Sequence, residues 1–476
     1  MQKDFTEAEL NSVMEQAWQA FFVYRKFSLK QRAQFMRAIA VAIENCGEKL
    51  IETAMRESNL PRERLESEKG RTIFQLNSYA DYCESEQWMD IRIDKADHEK
   101  TPPKPDIRKM MVPLGPVLVF GAANFPFAYS TAGGDTACAL AAGCPVIVKA
   151  HPAHAETSTM VAAAILKAAE KCQMPPGIFS HVFGASSKVG EILVKHPYTK
   201  AVGFTGSFAG GKQLFDWGNQ RKVPIPVFAE MSSVNPVFLL PDKMKEAAAD
   251  IAKMFAASIT LSVGQFCTNP GVIIGMEGDD LNLFIRSLQN EITKVPPAAM
   301  LNSGIYKNYI EQKAKALAVE NVAVINDVTV DPGENDSVNP TIVCTSASTF
   351  IKNPLLQREV FGPYSIIVSC VDKQEMELVA QHLDGQLTCT LMATNDDIKD
   401  SELLVNTVQN ICGRIILNAV PTGVEVCLSM QHGGPFPSTT DSRFTAVGGD
   451  GIRRFARPLA FQNWPEELLP EALKKV

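Results

Sequence analysis

From residue 114 onward the chain alternates short apolar segments with helical ones, and nothing else in the sequence constrains the fold as strongly. PVLVFGAAN reads as a buried strand ending in small residues, TACALAAG as a helix, and CPVIVKAHP as a second strand. The helix ETSTMVAAAILKAAEKC, the strand IFSHVFG, a helix around KVGEILVKHP and the strand KAVGFTGS continue the series. Strands joined through helices at this spacing run parallel, with right-handed crossovers. Open sheets of this kind bind ligands at the C-terminal ends of their strands. A second series begins at PIPVFAEMSSVNPVFLLP and runs through GVIIGM, PTIVC, YSIIVSC, TCTLMAT and GRIILN. Two α/β lobes with a cleft between them are therefore expected.

Ahead of these lobes, the first ninety residues carry apolar side chains at three- and four-residue steps, with Ser28 as a helix cap. The polar stretch DKADHEKTPPKPDIRKM then leads toward an arm. The formal charge of −7 comes without a basic cluster, which argues against a nucleic-acid partner. The chain has no uninterrupted apolar run of membrane-spanning length, and MQKDFTEAELNSVMEQAW is too polar for a signal peptide. Eleven cysteines without regular spacing predict reduced thiols in the cytosol rather than a disulfide framework. The absence of C-x-x-C and H-E-x-x-H spacings predicts no metal site.

Most of the cysteines lie in or beside apolar runs, where a thiol acts as a small hydrophobe. Cys267 differs, because GQFCTNPG surrounds it with residues that allow an exposed sulfur and close backbone N–H groups. Four features are able to cooperate with it. Asn124, at the strand-to-turn junction GAANFPF, offers an amide to a developing oxyanion, or simply braces its own turn. Glu230 follows an apolar strand, so desolvation is expected to raise its pKa and suit it to general-base work, or it is simply satisfied by nearby backbone N–H groups. The turn GFTGSFAGG at 203–211 brings backbone toward a phosphate at a helix start, although it is neither G-x-G-x-x-G nor a Walker loop. Lys149 ends a strand and presents a point charge for a ribose or phosphate, or is an ordinary surface lysine.

The order and spacing of N124-FP, Lys149, GFTGS at 203–207, Glu230, GQFC with Cys267, and EVFGP at 359–363 resemble the aldehyde dehydrogenase superfamily. The likeness runs over nearly the whole chain. AEMSSVNPVFLLP, GQFCTNPG, PTGVEV at 421–426, HGGPFPSTTDSRFTAVG at 432–448 and ESEKGRT at 66–72 are most similar to its α-ketoglutaric semialdehyde (2,5-dioxovalerate) dehydrogenase branch, close to NADP-linked fatty aldehyde dehydrogenases.

That resemblance implies an α/β fold with two Rossmann-like open parallel-sheet lobes and a small β oligomerisation arm. The cofactor-binding domain would take 1–95 and 114–229, the catalytic domain 230–450, and the arm and tail 96–113 and 451–476. Cys267 would be the nucleophile, Asn124 an oxyanion donor and Glu230 the base that releases the acid. Thr205, Gly206, Ser207 and Gly211 would border the dinucleotide, and Glu359 and Phe361 would position its nicotinamide end. A small aldehyde is the implied substrate and a homodimer or homotetramer the implied assembly.

Two departures from the family pattern matter. Many NAD-preferring relatives carry a glutamate three positions after the lysine, and Pro152 stands there instead. Nothing at that position repels a 2′-phosphate, so NADP is the expected cofactor, with NAD as a second choice and Lys188 as a further phosphate ligand. The common Glu-Leu-Gly-Gly is Glu-Met-Ser-Ser, which removes backbone freedom beside Glu230. For a semialdehyde bearing a distal carboxylate, Arg71 is the expected cation, against the plainer reading of a surface arginine paired with Glu66 or Glu68. For a long-chain aldehyde, Phe74, Phe266 and Phe436 would instead wall the tunnel. Other readings are a non-catalytic nucleotide-binding member, a CoA-dependent acylating enzyme, and a Cys-His hydrolase, for which no histidine context points to Cys267.

Overall fold

The computed structural model describes residues 3–326 and 335–474. Four helices, Glu7–Tyr24, Leu29–Glu44, Gly47–Ser58 and Arg62–Glu84, come first. Ser28 caps the second of them in a reciprocal capping box with Gln31. Strands β1 (Arg92–Asp94) and β2 (Ile107–Pro113) follow as an antiparallel pair.

The first lobe holds β3 (Val117–Phe120), β4 (Val146–Lys149), β5 (Phe179–Val182), β6 (Ala201–Thr205) and β7 (Val227–Glu230). They form one parallel sheet in the order β5-β4-β3-β6-β7. Helices cover both faces of the sheet, which is why its strands read as continuous apolar runs. The order reverses about β3, so the C-terminal ends of β3 and β6 form a topological switch point.

The second lobe contains β8 (Val237–Leu239), β9 (Val272–Met276), β10 (Ala298–Ala299), β11 (Ala323–Val324), β12 (Ser337–Val338), β13 (Thr341–Ser346), β14 (Tyr364–Cys370), β15 (Gln386–Met392) and β16 (Cys412–Leu417). Seven of these make a sheet in the order β11-β13-β14-β9-β8-β15-β16, parallel except for the short edge strand β11. β10 and β12 form a separate two-stranded ladder. PIPVFAEMSSVNPVFLLP, which opens the second series in the sequence, is thus divided between lobes. Its first half is β7 of the first sheet and its second half is β8 of the other. Glu230 consequently sits where the chain crosses between lobes.

The last strand, β17 (Ala456–Gln462), returns to pair with β2 and completes a three-stranded antiparallel arm that begins at Arg92. One helix region, Pro241–Gly264, is long and apolar enough by composition to cross a membrane. Its Ile251, Ala252, Phe255 and Ile259 instead form part of a hydrophobic core of the second lobe.

Candidate active site

Cys267 is presented by a strained loop. Three successive residues shortly before it, Ser262, Val263 and Gly264, have φ of 48°, 58° and 64°. A β-branched residue in the left-handed region costs roughly 1–3 kcal/mol, and such strain persists only where surrounding contacts over-determine it. Gly264 also lies against Gly362, and a Cβ there would come within 2.3 Å of the Gly362 carbonyl oxygen. The fixing contacts are visible. Gln265 Nε2 donates to the Ser262 carbonyl at 3.1 Å, and its Oε1 accepts the Leu301 N–H at 3.0 Å. Asn235 Nδ2 donates to the carbonyls of Cys267 and Asn269, both at 2.9 Å.

Asn235 also answers the question raised by the Ser-Ser pair after Glu230. Neither serine adopts a positive φ; Asn235 does, at 46°. Ser233 Oγ donates within a buried cluster to Asn235 Oδ1 and Gln386 Oε1, both at 2.9 Å. Ser232 Oγ accepts the Phe208 N–H at 3.3 Å, tying this loop to the start of helix Phe208–Asn219. The serines are therefore hydrogen-bonding parts of the mount that carries Cys267.

Around the thiol the structure assembles Glu230 and a residue that the sequence reading missed, His432. A carboxylate oxygen, Cys267 Sγ and a ring nitrogen of His432 lie within 4.8 Å of one another. His432 Nε2 is 3.0 Å from Glu230 Oε1 and 3.7 Å from Cys267 Sγ. Both Glu230 and His432 are buried. The expectation that no histidine reaches Cys267 is thus wrong. His432 is brought in by backbone ties between its loop and β7: the Met231 N–H donates to the Ser438 carbonyl, and Glu230 pairs with Thr439. The spacing of the trio also resembles a set of metal ligands.

The charges differ from expectation as well. Burial pushes the Glu230 carboxyl up, but the adjoining His432, with help from Cys267 and Arg454, outweighs it and leaves the carboxyl below the usual range. The raised value expected from desolvation alone is therefore corrected, because that expectation lacked the histidine. Glu230 Oε2 is buried without a hydrogen-bond partner, an accepting position left open beside the thiol. Burial, then the Glu230 charge, push the Cys267 thiol well above its ordinary range, so the resting nucleophile is protonated.

Asn124 lies just past the end of β3, and its Nδ2 donates to the Gln265 carbonyl at 3.1 Å. One amide N–H thus anchors the Cys267 loop while the other stays available. The Asn124 turn is itself held from the helix Arg62–Glu84. Glu68 Oε1 accepts the N–H groups of Phe127 and Ala128 at 2.9 and 3.0 Å, and Arg64 lies 4.4 Å from the Phe125 ring centroid and 5.3 Å from that of Phe266. Phe266 packs on Phe125 with ring centroids 5.5 Å apart.

Arg71, on the same helix, pairs with neither Glu66 nor Glu68, whose ion-pair partners are Arg62 and Arg64. Its Nη2 donates to Tyr129 Oη at 3.3 Å, and Tyr129 stands 6.3 Å, ring to ring, from His432. Phe436 is placed differently from the expected tunnel wall. It is 54% exposed and packs edge-on against Phe208, the first residue of the helix Phe208–Asn219. Phe74 is likewise exposed at 53%.

On the cofactor side, Lys149 ends β4 half-buried, with burial depressing its pKa. Thr205 ends β6, Ser207 caps the next helix by accepting the Gly210 N–H, and the Gly206 N–H donates to the Glu230 carbonyl at 3.0 Å. Gly211 packs on Met231, where a Cβ would come within 2.5 Å of its side chain. Glu359, Phe361, Phe266 and Gly264 line one small pocket, and Glu359 interacts electrostatically with Cys267. Burial pushes the Glu359 carboxyl up to about 8. A largely protonated carboxyl in a pocket, and a side-chain-free turn at a helix start, fit the two ends of a nicotinamide dinucleotide.

Lys188 is exposed in the first turn of helix Ser187–Lys195. Asp4 has reached the same spot: its carboxylate accepts the Ala185 N–H and the Ser186 hydroxyl, both at 2.8 Å.

The aldehyde dehydrogenase family model matches residues 2–454. The chain belongs to this family. As an aldehyde dehydrogenase it is similar to α-ketoglutaric semialdehyde dehydrogenase 2 of Azospirillum brasilense, at 44% identity over 98% of this chain and 89% of that one. The α-ketoglutaric semialdehyde dehydrogenase of Acinetobacter baylyi is 42% identical over 99% and 90% of the two chains. Among solved structures, a glyceraldehyde-3-phosphate dehydrogenase from Methanocaldococcus jannaschii complexed with NADP superposes with a TM-score of 0.81 at 18% identity, covering 97% of this chain and 95% of that one. A Thermus 1-pyrroline-5-carboxylate dehydrogenase with bound NAD gives 0.80 at 18% identity, covering 96% and 86%. These likenesses establish the two-lobed fold with its arm.

Proposed function

We propose that this aldehyde dehydrogenase oxidises α-ketoglutaric semialdehyde to 2-oxoglutarate. The observation that carries the reading is Arg71, a guanidinium that sits on Tyr129, next to His432, and that no carboxylate of the helix neutralises. The two relatives above 40% identity, both named for that substrate, support it.

Cys267 Sγ attacks the aldehyde carbon, and its proton passes to the Glu230–His432 pair 3.0 Å across. The second Asn124 amide N–H and the Cys267 backbone N–H hold the oxyanion; losing one such donor costs about 2.7–4 kcal/mol of transition-state stabilisation. A bound nicotinamide dinucleotide supplies the hydride acceptor, with Lys149, Thr205, Ser207, Glu359 and Phe361 as its holders. Once the acyl group is a thioester on Cys267 and the first proton has passed to solvent, Glu230 takes a proton from water through its unpartnered Oε2. The water oxygen attacks the thioester carbonyl, the sulfur leaves as thiolate and takes up the proton held by Glu230, and the product loses its own proton to solvent and departs as a carboxylate.

For the cofactor, Pro152 and the half-buried Lys149 favour NADP, with NAD also used. The arm and the exposed Ile415 and Leu417 on edge strand β16 support a homo-oligomer. All eleven cysteines are free, which suits a reducing cytosol. Initial rates with both cofactors, on the semialdehyde and on hexanal, test the reading. A kcat/KM more than tenfold higher for hexanal overturns it, since an apolar aldehyde leaves the Arg71 charge uncompensated.

A further inference from the structure

We infer that Arg414 is a second specificity residue, forming with Arg71 a two-guanidinium receptor for the distal oxo-carboxylate of the aldehyde. The inference rests on the semialdehyde reading but adds a residue from the opposite lobe. Arg71 comes from the helix Arg62–Glu84, whereas Arg414 comes from β16 in the second sheet.

Arg414 has only neutral partners. Its Nη2 donates to the Pro421 carbonyl at 3.1 Å, and both Nη atoms lie 3.3 Å from the Gly423 carbonyl. Nη1 is 3.7 Å from Met430 Sδ, two residues before His432. Among the described residues, neither Arg414 nor Arg71 forms an ion pair with a carboxylate. Both have a buried Nε without a hydrogen-bond partner.

The two charges converge on one place. Arg71 and Arg414 each interact electrostatically with Cys267 and with Tyr129. Tyr129 carries Arg71 on its hydroxyl and lies against His432. Burial lowers the pKa of Arg414. Two half-buried guanidiniums without anions are costly, and each keeps an N–H donor unused. A purely structural role in bracing the 421–423 turn explains the Nη contacts. It does not explain a second unneutralised arginine near the same thiol. A substrate ending in a 2-oxo acid supplies the missing charge, and its oxygens compete with the neutral Pro421 and Gly423 carbonyls that hold the Arg414 fork.

The test is the ratio of kcat/KM for α-ketoglutaric semialdehyde to that for hexanal. In Arg414→Gln this ratio is expected to fall at least tenfold, with KM for the semialdehyde carrying most of the loss, and Arg414→Lys should fall less. A smaller fall in the glutamine variant, or an equal loss for both aldehydes, overturns the inference. Should the glutamine variant fail to fold, the unaltered enzyme decides: 2-oxoglutarate should inhibit hexanal oxidation at least tenfold more tightly than pentanoate. Comparable inhibition by the two acids overturns the receptor even if the semialdehyde is oxidised. Tight 2-oxoglutarate inhibition without semialdehyde oxidation leaves the receptor standing and overturns the substrate reading instead.

Discussion

Replacing His432 with leucine isolates the contact that sets the protonation of the base. Glu230 and His432 are both buried, and Nε2 to Oε1 is 3.0 Å. Burial works to raise the Glu230 pKa, and His432 is the chief influence reversing it. A hydrogen bond to a charged group contributes about 1.5–3 kcal/mol. Its loss removes that preference for the ionised form and moves Glu230 upward. In the unaltered enzyme the carboxyl lies below the ordinary carboxylate range, so the base stays ionised and deacylation resists a fall in pH. In His432→Leu the carboxylate picks up a proton earlier as the pH falls, and the acid limb of the profile shifts to higher pH.

The assay is the steady-state rate after the reduced-cofactor burst, taken from pH 5 to 9. His432→Gln keeps a donor for Oε1 and should recover part of the shift. If the leucine profile superimposes on that of the unaltered enzyme down to pH 5, His432 does not govern Glu230 and the argument fails.

Glu230→Gln should slow the burst of reduced cofactor, because the pair takes the thiol proton, but should cut turnover much further, because water is then left without its base; turnover slowed no more than the burst would deny Glu230 a role after the thioester. Glu359→Gln should stabilise the cofactor-free protein increasingly as the pH rises from about 4.5 toward 8, because the raised folded pKa penalises ionisation across that window. Thermal melts at pH 5 and 8.5 check this, and equal gains at both would contradict it. Asp4→Asn, which removes a charge from the Ala185–Ser186 amides near Lys149, should raise the NADP-to-NAD ratio of kcat/KM by about twofold or more. An unchanged ratio means that Asp4 lies outside the phosphate's reach. Asn235→Ala strips donors from two carbonyls and leaves alanine at a φ of 46°, an expected loss of about 2–4 kcal/mol in denaturant unfolding. A loss below about 1 kcal/mol would deny it the role of mounting Cys267.

What the sequence disclosed and what it hid divide along locality. Cys267, Asn124 and Lys149 were legible because each stands at a strand end or turn whose signals are adjacent residues, and parallel sheets put such ends at the ligand side. His432 was not. It lies 165 residues from Cys267, and the backbone pairing that delivers it runs between β7 and a turn-rich stretch with no periodic pattern. Its absence from the reasoning also reversed the sign at Glu230, since burial alone argues for a raised pKa while burial beside an imidazole does not. Arg414 hid for a different reason: GRIILN reads only as a strand, and neither the charge it leaves unpaired nor the turn it braces is written nearby. Phe436 erred the other way, because an aromatic residue in a turn does not say which side of the turn faces solvent.

The Glu-Met-Ser-Ser segment shows how such a departure is absorbed. Serines replace glycines safely only if the positive φ is needed elsewhere. Here Asn235 takes it, two residues beyond Ser233. Freed from that demand, Ser233 donates to Gln386 and to Asn235, and Asn235 in turn grips the carbonyl of Cys267. Backbone freedom lost beside the base thus reappears as hydrogen bonds under the nucleophile. On that ground, restoring the two glycines should loosen the Cys267 mount, despite bringing the segment closer to the common family pattern.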